Sequence, residues 1–155
     1  MFRLNRLTDY AVVVLAQMAL RPGRLVNAAQ VAQDTGVPQP TVAKVLNVLA
    51  KGGLIASQRG AAGGYSLARP AEEIDVAEII QAMDGPIALT ACVEAATDSC
   101  SVESLCPMRG NWERVNTAIR TALSNVTLAE MALPFAPMPA AAQENGLRAG
   151  RQAQA

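Results

Sequence analysis

The chain has 155 residues, 51% of them apolar, with only two Phe, two Tyr and one Trp. That is enough for one compact domain with an aliphatic core, which favours helices over a β-sandwich. It has no histidine, no glycine loop followed by Lys-Ser/Thr and no nucleophile–base pair, which argues against an enzyme. The formal charge of zero hides a split: residues 1–69 hold eight Lys/Arg against two Asp/Glu, and residues 70–155 hold five against eleven. The first part suits a polyanion and the second repels one.

In chain order, Met1 to Arg6 followed by Ala11–Leu20 superficially resembles a signal peptide. Asp9 and Gln17 interrupt it, and no small-residue cleavage pattern follows. Leu7, Tyr10, Ala11, Val14, Leu15 and Met18 recur instead at helical spacing, with Thr8 or Asp9 supporting the first turn. After Arg21-Pro22-Gly23, Asn27 is expected to cap a helix to about Thr35. Gly36 supplies a turn, and Gln39-Pro40 opens a second helix toward Lys51. Ala32, Gly36 and Val42 have the offsets of a helix-turn-helix, with Val31, Val42, Val45, Leu46 and Leu49 as its inner stripe.

Gly52-Gly53 ends that helix. Leu54–Gln58 and Tyr65–Ala68 read as strands joined by the glycine-rich tip Arg59–Gly64. A helix-turn-helix followed at once by such a hairpin is the order of a winged helix. Asp75 then caps a helix through Met83, stopped by Asp84-Gly85-Pro86. The expected fold is therefore mainly α: a winged helix-turn-helix over 1–84 with a two-stranded wing, a cysteine-bearing loop over 85–109, and a long C-terminal helix over 110–133. In that last helix Trp112, Val115, Ile119, Ala122 and Val126 form a narrow seam suited to a partner helix, hence a dimerisation helix, with packing inside the same subunit as the alternative. Residues 134–155, rich in Ala, Pro and Gln, are expected to be a disordered tail.

The residues suited to DNA are Gln39, Thr41 and Lys44, which face away from the inner stripe. Gln can read adenine edges, Thr can reach an edge or a thymine methyl, and Lys can reach guanine or phosphate. Arg59 with Gly60 at the wing tip suits a narrow minor groove. Arg3, Arg6 and Lys51 suit phosphates, and Tyr65 is expected to pack under the hairpin.

All three cysteines, Cys92, Cys100 and Cys106, fall in one loop at spacings of eight and six residues. That is looser than the CxxC pairs of structural zinc sites, and no fourth Cys or His completes a tetrahedron. Three thiolates suit a metal or an iron–sulfur cluster with the last ligand from elsewhere; three ordinary thiols are the alternative. The acidic neighbours Glu94, Asp98 and Glu103 would oppose ionisation of free thiols, so a bound cation would matter there. Three thiols cannot all pair within the chain, which suits a reducing cytoplasm. No apolar run is long enough to cross a bilayer.

The segments Leu7-Thr8-Asp9-Tyr10-Ala11, Pro40–Leu46, Arg59–Tyr65 and Cys92…Cys100…Cys106-Pro107 resemble the Rrf-type (Rrf-two) winged-helix transcriptional regulators, which include IscR and NsrR. Trp112 with Asn116, and Leu128-Ala129-Glu130-Met131, look closest to the branch that regulates the SUF system of iron–sulfur cluster assembly. The match covers about residues 1–133. The resemblance implies a homodimer on a palindromic operator in double-stranded DNA, with a two-iron or four-iron cluster at Cys92, Cys100 and Cys106 setting DNA affinity. Relatives with a histidine ligand carry it three residues after the last cysteine, where this chain has Arg109. Other relatives use an aspartate of the first helix from the opposite subunit, which Asp9 matches; Asp9 is thus the candidate fourth ligand, or else a first-turn acid placed by the helix dipole. The leading expectation is a repressor of cluster-assembly genes. A cluster-free thiol/disulfide redox sensor and an iron–sulfur carrier protein are the alternatives.

Overall fold

The computed structural model describes residues 3–97, 99–102, 105–108 and 110–133. The expected tail, together with Asp98, Glu103 and Arg109, lies outside them.

Helix α1, Arg6–Ala19, runs through the centre of the molecule, with Ala11, Val14, Leu15 and Met18 buried. Its cap is Asn5, whose side chain accepts a hydrogen bond from the Thr8 N–H at 2.9 Å, and Asp9 lies in its first turn. Thr8 is fully buried and donates through Oγ1 to Asp84 Oδ2 at 2.6 Å. A group read as a first-turn helper is thereby a tie between distant segments.

Helix α2, Ala28–Thr35, starts in a capping box between Asn27 and Gln30, which satisfies two orphan N–H groups reciprocally. Gly36 turns the chain at φ 74°, a left-handed conformation that glycine adopts without a Cβ penalty. Helix α3, Gln39–Lys51, follows, with Val42, Val45, Leu46 and Leu49 buried. Strands β1, Ile55–Gln58, and β2, Gly64–Leu67, pair antiparallel, with Ile55 opposite Leu67 and Gln58 opposite Gly64. Val26 bridges Tyr65 from the other side through bonds of 2.9 and 2.8 Å, so the wing is sewn to the start of α2.

A 3-10 turn, Ala71–Glu73, leads into α4, Val76–Asp84, which opens in a capping box between Asp75 and Glu78. The described residues between Gly85 and Gly110 run largely through turns and bends that carry the cysteines. The single C-terminal helix expected over 110–133 is instead two helices, α5, Asn111–Ser124, and α6, Leu128–Ala132. They part because the link pairs with the segment before α4: Val76 N–H donates to Val126 O at 2.9 Å and Leu128 N–H to Ile74 O at 2.7 Å. Thr127 then recaps the chain in a box with Glu130. α6 packs on α1 with Leu128 fully buried, so this stretch serves its own subunit's core.

The core is aliphatic, led by Leu15, Leu46, Leu49, Ile74, Ile79 and Leu128. Burying each such side chain contributes about 1.5–3 kcal/mol. Much of the α5 seam stays outside it: Trp112 is 41% exposed and Val115 44%, while Asn116 and Leu123 face inward.

Candidate DNA-binding surface and cysteine loop

α3 presents Gln39, Lys44 and Asn47 to solvent, and Thr41 is half-buried. Asn47, three residues after Lys44, shares its face; it is an addition to the residues expected from the sequence, although the same spacing points to it. Pro38 stands at the N-cap of α3 without a side-chain bond, and Pro40 in the first turn has no N–H to satisfy.

Arg59 is exposed at the wing tip, followed by Gly60 at φ 116°. The glycines that close the tip are required by contact rather than by φ. A Cβ on Gly63 would lie 2.3 Å from the Gln58 carbonyl oxygen, and one on Gly64 2.8 Å from that of Val26. Tyr65 is half-buried and packs on the core, as expected. Arg3, Arg6 and Lys51 are exposed. Arg21 and Arg69 are engaged elsewhere, in ion pairs of 2.8 Å with Asp34 and Glu78.

Cys92, Cys100 and Cys106 are free thiols, each partly exposed. The Cys92 sulfur lies 3.2 Å from Thr90 Oγ1. Among the described residues no three Cys, Asp or Glu side chains converge as a ligand set, so the loop carries the sulfurs without gathering them. Asp9 is exposed in the first turn of α1 and lines an open groove with Val13, Gln17, Asp34 and Met131. The donors nonetheless fit an iron–sulfur centre in kind: they are three free, soft thiol ligands on one segment.

Two features were missed from the sequence. Asn116 is fully buried; its Nδ2 donates to Ile87 O at 3.0 Å and its Oδ1 accepts from the Leu89 N–H at 3.1 Å. Asp84, read only as part of a helix stop, joins Thr8 and Asn5 at the root of the cysteine loop.

A helix-turn-helix with an adjoining two-stranded wing defines a winged-helix DNA-binding protein. The family model for Rrf2, described as an iron-dependent transcriptional regulator, matches residues 4–133. The chain belongs to the Rrf2 family of transcriptional regulators. It is 30% identical over 131 residues to the HTH-type regulator Rv1287 of Mycobacterium tuberculosis, covering 84% of this chain and 81% of that one. An HTH-type regulator of Aquifex aeolicus is 29% identical over 124 residues, covering 79% and 85% of the two chains. Among solved structures, CymR, the global cysteine regulator of B. subtilis, superposes with a TM-score of 0.65 at 26% identity over 85% of this chain and 97% of that one. IscR of T. potens does so with a TM-score of 0.61 at 27% identity over 99% and 92%. These relatives are regulators, and the chain is a DNA-binding transcriptional regulator rather than an enzyme. Among the described residues no helix is long and apolar enough to cross a membrane.

Proposed function

We propose that the protein is a cytoplasmic, homodimeric repressor of SUF-type cluster-assembly genes, responsive to an iron–sulfur centre held by Cys92, Cys100 and Cys106. The observation that carries this reading is the presence of all three thiols, free and partly exposed, in one irregular loop attached to a winged helix. The family's description as iron-dependent and the likeness to IscR support it. Asp9, exposed on α1, is the proposed fourth ligand, offered to the loop of the other subunit.

When bound, such a centre supplies sensitivity to iron, oxygen or nitric oxide. The chain supplies the rest. Its Cys92, Cys100 and Cys106 sulfurs would hold the centre. Gln39, Thr41 and Lys44 enter the major groove, and Arg59 with Gly60 reaches the minor groove beside it. Two copies set the half-site spacing of a palindrome.

The test is an anaerobic gel shift of reconstituted and metal-stripped protein on its own upstream DNA. The expected result is a difference in affinity of at least about tenfold, about 1.4 kcal/mol, which Cys92→Ala abolishes together with the visible absorbance. Equal affinity of the two forms overturns the reading.

One comparison favours a second reading, a thiol/disulfide sensor. CymR of Staphylococcus aureus is known in an oxidized form that superposes with a TM-score of 0.62 at 27% identity. Cluster-free protein whose operator affinity changes reversibly with oxidant and dithiothreitol would select it.

A further inference from the structure

The three thiols do not hang on the fold equally. Ile87 and Leu89 are clamped by the Asn116 carboxamide, which pairs with their backbone as a neighbouring strand would. Three residues earlier on α5, Glu113 Oε2 accepts the Glu94 N–H at 2.9 Å. Cys92 sits between these pins, next to the buried Val93. At the root of the same arm, Asp84 is held by Thr8.

Beyond Ala96 the picture changes. Among the described residues, the backbone hydrogen bond within 99–108 is a local turn, from Leu105 N–H to Val102 O, and Met108 O accepts from the Asn111 N–H where α5 begins. Val102 is 62% exposed and Leu105 90%. Among the described residues no bond from 99–106 reaches another element, so Cys100 and Cys106 lie on the less tied arm, while Cys92 lies on one riveted to α5.

An amide inside this apolar packing is costly unless both of its ends are used. Asn116 lies fully buried, with Ile87, Ile80 and Leu123 in the apolar packing where α4 meets α5, and both ends are used. An aliphatic residue there would leave the Ile87 carbonyl and Leu89 N–H without partners.

We infer that Asn116, seconded by Glu113, is a positioning residue that fixes Cys92 as the stationary ligand of the loop and ties the loop's state to α5. Cys100 and Cys106 are the ligands that must move. Because α5 also carries the exposed Trp112–Val115 seam, displacement of the Cys92 arm acts on the helix proposed to meet the second subunit. This inference rests on the proposed cluster reading for its purpose, but its geometry is tested without a cluster.

The first measurement uses full-length metal-free protein carrying Cys100→Ser and Cys106→Ser, so that iodoacetamide reports Cys92 alone. Asn116→Ala should raise the alkylation rate about fivefold or more by freeing the arm for local opening. Glu113→Ala, a milder change at a less buried residue, should raise it about twofold by the same route. Asn27→Ala removes a cap far from the loop; it lowers overall stability and should leave the Cys92 rate unchanged. If Asn116→Ala does not fold, Glu113→Ala decides alone.

The second measurement reconstitutes three-cysteine protein with ferrous iron and sulfide. Loss of an outer-shell partner should shorten the half-life of the visible absorbance in air about tenfold in Asn116→Ala. Equal Cys92 rates in wild type, Asn116→Ala and Glu113→Ala overturn the inference. So does an unchanged half-life. Wild-type protein that takes up no chromophore removes the cluster reading instead, and the alkylation rates still decide the clamp.

Discussion

Among the described residues, Thr8 and Asn116 are the buried polar side chains, and both bond to the roots of the cysteine loop. Neither role was legible in the sequence. A hydroxyl in a first helical turn and an amide in a C-terminal helix have local explanations, and their partners lie 76 and 27–29 positions away. Asn27 and Asp75 were legible because a capping box is read within four residues. The wing glycines fall between these cases: their clustering announced a tip, but the close approach of Val26 to Gly64 depends on a strand bridge from before α2. Gly64→Ala should therefore destabilise the protein by about 1–3 kcal/mol through overpacking against backbone. Gly60→Ala, where no atom lies within 4 Å of the added methyl, meets only the strain of its positive φ. Thermal denaturation of the two variants side by side distinguishes contact from conformation, and a Gly64→Ala midpoint no lower than that of Gly60→Ala would show that Val26 yields.

At the scale of elements, α1 to α4 and both strands were visible as periodic stripes bounded by caps and glycines, whereas the 3-10 turn Ala71–Glu73 was not. The C-terminal break was not either, although Thr127-Leu128-Ala129-Glu130 has capping-box spacing, because residues 111–132 keep a helical apolar rhythm and no proline or glycine interrupts them. What divides them is pairing of the link with the Ile74–Val76 segment, a tertiary preference that overrides local propensity. The N-cap of α6 then becomes a point of stability. Thr127→Ala should cost about 0.5–2 kcal/mol, read as a shift in urea midpoint. Glu130 adds a pH signature. Its carboxylate accepts from the Thr127 backbone N–H at 2.7 Å and then from the Thr127 hydroxyl at 3.0 Å, which lowers its pKa below the ordinary glutamate value. A folded-state pKa below the unfolded one means stabilisation that is complete above the ordinary value and lost as pH falls through the folded one. Glu130→Gln should therefore show a flatter acid limb in a plot of stability against pH. A curve parallel to that of the wild type would mean that the box does not hold the carboxylate in solution.

Over the whole molecule, the charge split read from the sequence acquires a geometry. Arg21 and Arg69 are taken up in ion pairs, which leaves Arg3, Arg6, Arg24, Lys44, Lys51 and Arg59 exposed on the helix-turn-helix and wing portion. Exposed basic residues of this kind bind phosphates by releasing counterions, so log K should fall steeply with log salt, by about 0.9 per phosphate neutralised. One such portion covers one half-site, and the proposed palindrome needs two. The α5 seam is the natural place for the second copy, since Trp112 and Val115 remain exposed after the subunit has completed its own core. Val115→Glu tests this with little risk to the fold, because a change at so exposed a position typically shifts stability by about 0.5 kcal/mol or less. Two carboxylates facing each other across a closed symmetric interface would instead oppose association. Sedimentation equilibrium should show the variant as a monomer. Its operator affinity should drop about 100-fold through loss of the linked second half-site, and its salt slope should fall to about half because half the phosphates are contacted. A variant that stays dimeric with the full slope would place the subunit contact elsewhere, on a surface such as the Val13–Met131 groove beside Asp9.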